Sequence, residues 1–247
     1  MLLLDHSGSP QDRSQPMDKK KIVILTGAGI SAESGLKTFR DAQGLWEGHD
    51  VMEVASPQGF ARNPQLVLEF YNQRRRQLQK VAPNAGHRAL VRLEGHAQVQ
   101  IVTQNVDNLH ERAGSTQVIH LHGELLKARS TVDEKYVVPW QRDLVLGDLD
   151  PNGHQLRPHI VWFGERVPLM DLAQGITQGA DRLIIVGTSM QVYPAANLIH
   201  CVSPGTPIHF IDPRPQPRAS DFPGIDLIPQ TAVRALPPLV DRILEGL

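Results

Sequence analysis

The stretch TGAGISAESGLKTFRD, residues 26–41, directly follows the apolar run KIVIL and carries groups suited to holding phosphates. Gly27 and Gly29 are two apart and Gly35 is six residues further on, so the spacing is not that of the usual dinucleotide fingerprint. Backbone amides of a glycine turn at a helix start can cradle phosphate oxygens, and Arg40 can add a charge-assisted contact. The same Gly-Ala-Gly turn can also serve tight packing alone. A second stretch, TQNVDNLH (103–110), sets Gln104, Asn105 and Asp107 just after an apolar run. Side-chain amides there can fix a carboxamide or ribose, and a carboxylate can orient hydroxyls. Helix capping would account for Asn105 or Asp107 taken singly. A third, HLHGE, offers a general base working near neutral pH. His120 and His122 point to opposite faces of an extended chain, and His122, beside Gly123, is the better placed. A fourth, EFYNQRRR, puts Tyr71 and Arg74 three apart, on one face of a helix. Because Arg75 and Arg76 are adjacent, a basic solvated helix face explains the same residues.

These groups need a scaffold that brings loop ends together. Apolar runs at 22–25, 99–104, 117–123, 159–164, 182–189, 207–212 and 225–230 alternate with helical patterns. Runs without polar alternation suit strands covered on both faces, and the interleaved helices predict an α/β fold, a Rossmann-like doubly wound parallel sheet with a smaller inserted lobe. The dinucleotide-binding part is expected over 19–47, 86–126 and 159–247. Two stretches break the alternation and form the lobe: 48–85, with a helix capped by Asn63 and opened by Pro64, and the polar, turn-rich 127–158. A last helix is expected over LVDRILEGL. Residues 1–18 read as a flexible tail, with Met17 an alternative start.

Composition narrows the class. The 247 residues are 40% apolar with a net charge of -1, and the isoelectric point is near 6.8. This is no nucleic-acid footprint, and no apolar run approaches the length that crosses a bilayer. A single cysteine, Cys201, excludes a disulfide framework and points to a reducing cytoplasm; in its apolar helical setting it reads as a core thiol. His87, His96 and His110 have no assembled partners and read as structural.

Taken in order, GAGISAESGLKTFRD, TQNVDNLH, LHG, VWFGE and GTS resemble the sirtuin family of NAD-dependent protein deacylases, from about residue 20 to the C-terminus. The resemblance implies that NAD is a consumed co-substrate, giving nicotinamide, O-acyl-ADP-ribose and free lysine. It makes His122 the catalytic base. It places Ile30, Gln104, Asn105 and Asp107 around the nicotinamide, and Gly27, Ala28, Gly29, Phe39, Arg40, Trp46 and Ala232 on the remaining cofactor surface. Gly187, Thr188 and Ser189 fall on the far phosphate and ribose side. Val161, Phe163, Gly164 and Glu165 match the family's substrate strand, along which a peptide carrying acylated lysine would lie. Tyr71 and Arg74 match the Tyr-x-x-Arg pair of members that prefer malonyl, succinyl or glutaryl lysine, with Arg74 gripping the distal carboxylate.

Two departures stand out. The family's two zinc cysteine pairs are absent: Ser130 stands where the first cysteine belongs, and His154, His159, Asp133 and Glu134 match no zinc spacing, so no zinc is expected. Trp140, Tyr136, Val137 and Val138 are expected to pack the lobe instead. HFIDPR also lacks the asparagine that family members often place near Phe210. The expected activity is lysine desuccinylation or demalonylation, with deacetylation possible, by a cytoplasmic monomer without nucleic-acid or membrane partners. Mono-ADP-ribosyl transfer, NAD hydrolysis or a silent NAD-sensing module are the competing functions.

Overall fold

The computed structural model describes residues 19–37, 45–46, 48–215 and 221–247; the expected tail, Phe39 and Arg40 lie outside these residues. In chain order the elements are β1 (Lys21–Thr26), α1 (Gly29–Ala32), β2 (Leu45–Trp46), β3 (His49–Asp50), α2 (Val51–Val54), α3 (Pro57–Arg62), α4 (Pro64–Leu78), α5 (Ala85–Glu94), β4 (Gln98–Thr103) and α6 (Leu109–Ala113). They continue with β5 (Val118–His120), β6 (Gly123–Ser130), β7 (Val137–Pro139), β8 (Leu156–Ile160), α7 (Met170–Gln178), β9 (Arg182–Val186), a 3-10 helix (Ala195–Cys201), β10 (Ile208–Ile211), β11 (Ile225–Ile228) and α8 (Ala232–Glu245).

Among the described residues one sheet has six parallel strands in the order β11-β10-β9-β1-β4-β5. The chain builds outward from β1 through β4 and β5, then returns to the other side of β1 with β9. Strand order therefore reverses between β1 and β9, which opens a crevice at their carboxyl ends. Both faces are covered. Ile22 and Ile24 pack with Leu90 and Leu93 of α5 and Leu236 and Val240 of α8. Val23 and Leu25 face the opposite way, toward Ala173 of α7, Leu198 and Phe210. Each of these four β1 side chains is at most 2% exposed, which is why the strand is apolar without alternation.

α8 starts seven residues before the expected LVDRILEGL and runs through Pro237 and Pro238. An interior proline costs a helix about 3 kcal/mol. Burial of Leu236, Leu239, Val240 and Ile243 outweighs this, at about 1.5–3 kcal/mol for each large side chain.

The lobe combines α2, α3 and α4 with an antiparallel sheet in the order β7-β6-β8. Its strands begin at Gly123 and end at Ile160, past 127–158 on both sides, and give that polar stretch regular structure. The run at 159–164 is not a strand of the large sheet. It ends β8 in the lobe and then turns, with Glu165 N–H donating to the Trp162 carbonyl at 3.0 Å and Gly164 at φ 88°. One lobe cluster holds Phe70, Tyr71, Leu125 and Trp162. A second holds Leu68, Ala128, Leu144 and Leu156, with Tyr136, Val138 and Trp140 packed on it. Asn63 caps α4, its Oδ1 accepting Leu66 N–H at 3.1 Å ahead of Pro64.

Candidate active site

The two glycine loops meet at the strand-order reversal. Gly29 N–H donates to the Gly187 carbonyl at 2.8 Å, and Gly27 N–H to the Val186 carbonyl at 3.1 Å. A Cβ on Gly29 would stand 2.6 Å from the Gly187 Cα, and one on Gly187, whose φ is 66°, would collide with the Ile30 amide nitrogen. The spacing thus reflects backbone packing between neighbouring loops. It also limits the expected phosphate cradle. The amides of Gly27, Gly29, Ile30 and Ser31 are already bonded to carbonyls, and α1 is a single turn. Ala28 keeps the one amide of this turn without a backbone acceptor among the described residues.

A cavity of about 700 Å³ opens at this point and runs to the lobe. Ala28, Gly29, Trp46, Gln104, Asn105, Asp107, His122, Gly187, Thr188, Ser189 and Ala232 line it, as do Tyr71, Arg74, Val161, Phe163, Gly164 and Glu165. Residues far apart in sequence thus share one wall. Gly27 and Ile30 are not on the cavity wall: Ile30, placed by the resemblance beside nicotinamide, has a fully buried side chain in the core under the sheet. Sequence reasoning missed Ser31, Trp162 and Asp212, all of which line the cavity. Asp212 stands at the end of β10, close to the position of the missing asparagine, and its Oδ1 accepts Arg214 N–H at 2.8 Å. Its place at a strand end beside the crevice was a usable signal.

Asn105 and Asp107 are both 6% exposed. Asn105 Nδ2 donates to the Gly27 carbonyl at 3.1 Å and to Ser31 Oγ at 3.3 Å, pinning the glycine turn. Asp107 Oδ2 accepts the Ser31 hydroxyl at 3.0 Å, and Oδ1 accepts Leu109 N–H at 3.0 Å. Burial pushes the Asp107 carboxyl above its ordinary range, and these bonds oppose it. The capping role and the cavity position therefore coexist.

His122 occupies the crossing between the two sheets, since β5 ends at His120 and β6 begins at Gly123. Its carbonyl accepts Val161 N–H at 2.9 Å. Gly123 has φ 82°, and any Cβ there would collide with the His159 carbonyl, so the LHG turn requires glycine. His120 points elsewhere: its Nδ1 bonds the Asn105 carbonyl at 2.9 Å and its Nε2 bonds Glu111 at 2.7 Å. Burial lowers its pKa, but the Glu111 carboxylate, the Asn105 carbonyl and Glu124 together more than reverse this and hold it above the usual value. His87 and His110 are wholly buried, with His110 Nε2 3.0 Å from Thr26 Oγ1.

The three arginines of α4 part company. Arg74 faces the cavity, with its guanidinium centre 3.4 Å from the Phe70 ring centroid and 5.5 Å from that of Trp46. Arg75 is buried, bonding the Leu125 carbonyl at 3.1 Å and Asn72 at 2.7 Å. Arg76 pairs with Glu69 and Asp143 at the surface. A solvated basic face therefore describes only the last. Cys201 is half-buried at the edge of the core, and not fully inside it.

The lobe's expected metal position does not fit zinc. Ser130 Oγ accepts the amides of Val132 and Asp133, both at 3.2 Å. Asp150 Oδ1 accepts those of Asn152 and His154 at 2.8 and 2.9 Å. Ser130, where the first cysteine would stand, is a hydroxyl committed to turn amides, and among the described residues no group of three His, Cys, Asp or Glu could hold a metal. No helix among the described residues is long and apolar enough to cross a membrane.

The Sir2 family profile matches residues 27–194. An NAD-dependent protein deacylase of Helicobacter pylori is 57% identical over 226 residues, covering 92% of this chain and 98% of the relative. One from Leishmania major is 56% identical, covering 72% of this chain and 77% of the relative. A solved Sir2 homologue in complex with NAD superposes with a TM-score of 0.83 at 38% identity, covering 92% of this chain and 91% of the other. A Sir2 protein bound to an acetylated peptide gives 0.73 at 28% identity, covering 92% and 93%. The shared sheet, crevice and motif order, with this degree of identity over nearly the whole length, mean that the chain belongs to the Sir2 family.

Proposed function

We propose that this protein is an NAD-dependent protein-lysine deacylase that favours malonyl- and succinyl-lysine over acetyl-lysine. The observation carrying the reading is that one cavity joins an imidazole whose Nε2 has no hydrogen-bond partner among the described residues, the paired glycine loops, and an arginine–tyrosine pair from α4. The lining fits a dinucleotide: the Ala28 amide and the Thr188 and Ser189 hydroxyls suit a diphosphate, and the Asp212 carboxylate suits a ribose diol.

NAD supplies the ribose that takes up the acyl group as nicotinamide leaves. Asn105 and Asp107 hold the nicotinamide side of the cavity. The Asn105 side-chain oxygen and the Asp107 carboxylate suit the donor end of a carboxamide. His122 Nε2 takes the proton from a ribose hydroxyl as that oxygen attacks. Phe163 and Trp162 add apolar surface to the same wall. Arg74 and Tyr71 meet the distal carboxylate of a dicarboxylic acyl chain, a contact acetyl-lysine cannot use.

Mass spectrometry of acetyl- and succinyl-lysine peptides incubated with NAD tests the reading. Removal of the acyl group with formation of O-acyl-ADP-ribose, faster from succinyl, is the expected result. Mass added to the protein, or free ADP-ribose alone, would replace it with ADP-ribosyl transfer or NAD hydrolysis.

A further inference from the structure

Trp162 and Tyr71 are 91 residues apart, yet the indole Nε1–H donates to the phenol oxygen at 3.0 Å. They are 2% and 0% exposed. An indole N–H can only donate, so the phenol oxygen accepts. Burial raises the phenol's pKa well beyond its ordinary value, which keeps its proton in place. Among the described residues no protein acceptor receives that proton. A buried hydroxyl with only its acceptor half used is a costly arrangement unless a ligand supplies the other half.

The indole is held by its own backbone and by one stacked guanidinium. Trp162 N–H donates to Glu165 Oε2 at 2.7 Å. The Arg157 guanidinium centre lies 3.3 Å from its ring centroid. Glu165 also bridges Arg157, at 2.6 and 3.1 Å, and Arg129, at 2.9 Å. The lobe sheet thereby clamps the indole, and the indole clamps the phenol. Arg74 follows Tyr71 by one helical turn on the same cavity wall.

We propose that Trp162 is a positioning residue for acyl-chain choice: by occupying the acceptor side of the Tyr71 hydroxyl, it commits that hydroxyl to donating toward a carboxylate gripped by Arg74. This rests on the reading that Tyr71 and Arg74 receive the distal carboxylate. A phenol free to rotate would meet an uncharged acyl end as readily as a charged one. With the indole N–H on the oxygen, the proton is the part of the hydroxyl turned away from it, and a donated bond favours an anion.

The test compares Trp162→Phe with Tyr71→Phe and Arg74→Gln on succinyl and acetyl peptides. Removing one ordinary hydrogen bond should lower the succinyl-to-acetyl ratio of kcat/KM about fivefold in Trp162→Phe, through the succinyl KM. In the Tyr71→Phe background the same change should leave that ratio where Tyr71→Phe set it. Should the phenylalanine variant not fold, 3-benzothienylalanine at position 162 keeps the ring shape and removes only the N–H. A ratio that moves in Tyr71→Phe and Arg74→Gln but not at position 162 overturns the positioning role and leaves the carboxylate reading standing. Equal loss on both substrates at position 162 also overturns it. A ratio unmoved in all variants defeats the carboxylate reading, and the positioning role with it.

Discussion

The Nδ1 of His122 lies 3.1 Å from the carbonyl oxygen of Gln104. A carbonyl can only accept, so the neutral ring carries its proton on Nδ1 and leaves the Nε2 lone pair for chemistry. Burial lowers the pKa of the ring below its ordinary 6.5, and the Gln104 bond opposes that in part. The base is therefore already deprotonated at neutral pH. Activity should fall only as pH drops through a value under 6.5, so kcat/KM should have its acid limb there and be flat on that side above neutrality. His122→Ala should lose at least about a hundredfold in acyl removal, the usual worth of a general base, while calorimetry still detects NAD binding. Turnover near that of the parent protein would remove His122 from the reaction.

Gly187 and Gly153 separate two reasons for glycine. Both have positive φ, 66° and 85°, but a Cβ at 187 would collide with Ile30 N whereas one at 153 meets nothing within 4 Å. Gly153→Ala should cost only the backbone term, about 1–2 kcal/mol. Gly187→Ala adds an overlap that no side chain can relieve, because the opposing atoms are backbone. It should melt several degrees lower than Gly153→Ala and bind ADP-ribose poorly, both measurable by thermal unfolding with and without ligand. Equal melting shifts would mean that the loops part easily.

How much of this was legible depends on whether the cause was local. β1 and β9 could be read because sheet burial on both faces leaves apolar runs such as Ile22–Ile24 with no polar alternation. Asn63 and Pro64 announced α4 through a cap and a first-turn proline. The turn at Val161–Glu165 was not legible as a turn. Its cause is Glu165, which accepts Trp162 N–H while paired with arginines on two other strands. Likewise nothing in the string RRR shows that Arg75 is buried, since its acceptor is the Leu125 carbonyl 50 residues away. The site motifs, in contrast, cluster at strand ends, and strand ends converge by topology.

Asp212 puts a carboxylate on the cavity wall, close to where the resemblance implies an asparagine against adenosine. Carboxylates at this position of doubly wound sheets bond the ribose 2'-hydroxyl and repel a 2'-phosphate. Asp212→Ala should raise the KM for NAD roughly tenfold, the worth of a charged hydrogen bond, with kcat nearly constant. Asp212→Ser should narrow the gap between NAD and NADP. Initial rates with both dinucleotides decide this, and an unchanged KM in both variants would place the ribose elsewhere.

The lobe is closed at Ser130 and Asp150 by hydrogen bonds in the place where the family resemblance implies zinc. The nearby Ser130 side chain and the His154 and Asn152 amides hold the Asp150 carboxyl down to about 2, from an ordinary 3.8. A carboxylate with a depressed folded value contributes stability that is fully present above its unfolded value and is lost as pH falls through the folded one. Asp150→Asn should therefore lower the melting temperature at pH 7, and the difference from the parent protein should shrink as pH falls from about 4 toward 2. Ser130→Ala should act in the same direction, because it removes the acceptor of the Val132 and Asp133 amides and a side chain that helps depress the carboxyl. A metal clasp would behave otherwise. Thiolate or imidazole ligands would lose their ion by protonation well above pH 4, and a chelator would unfold the lobe at neutral pH. Elemental analysis of the purified protein should find zinc far below one per chain, and a chelator should leave the melting curve in place. Stoichiometric zinc, or a chelator-sensitive transition, would show that the turn amides are not what closes the lobe.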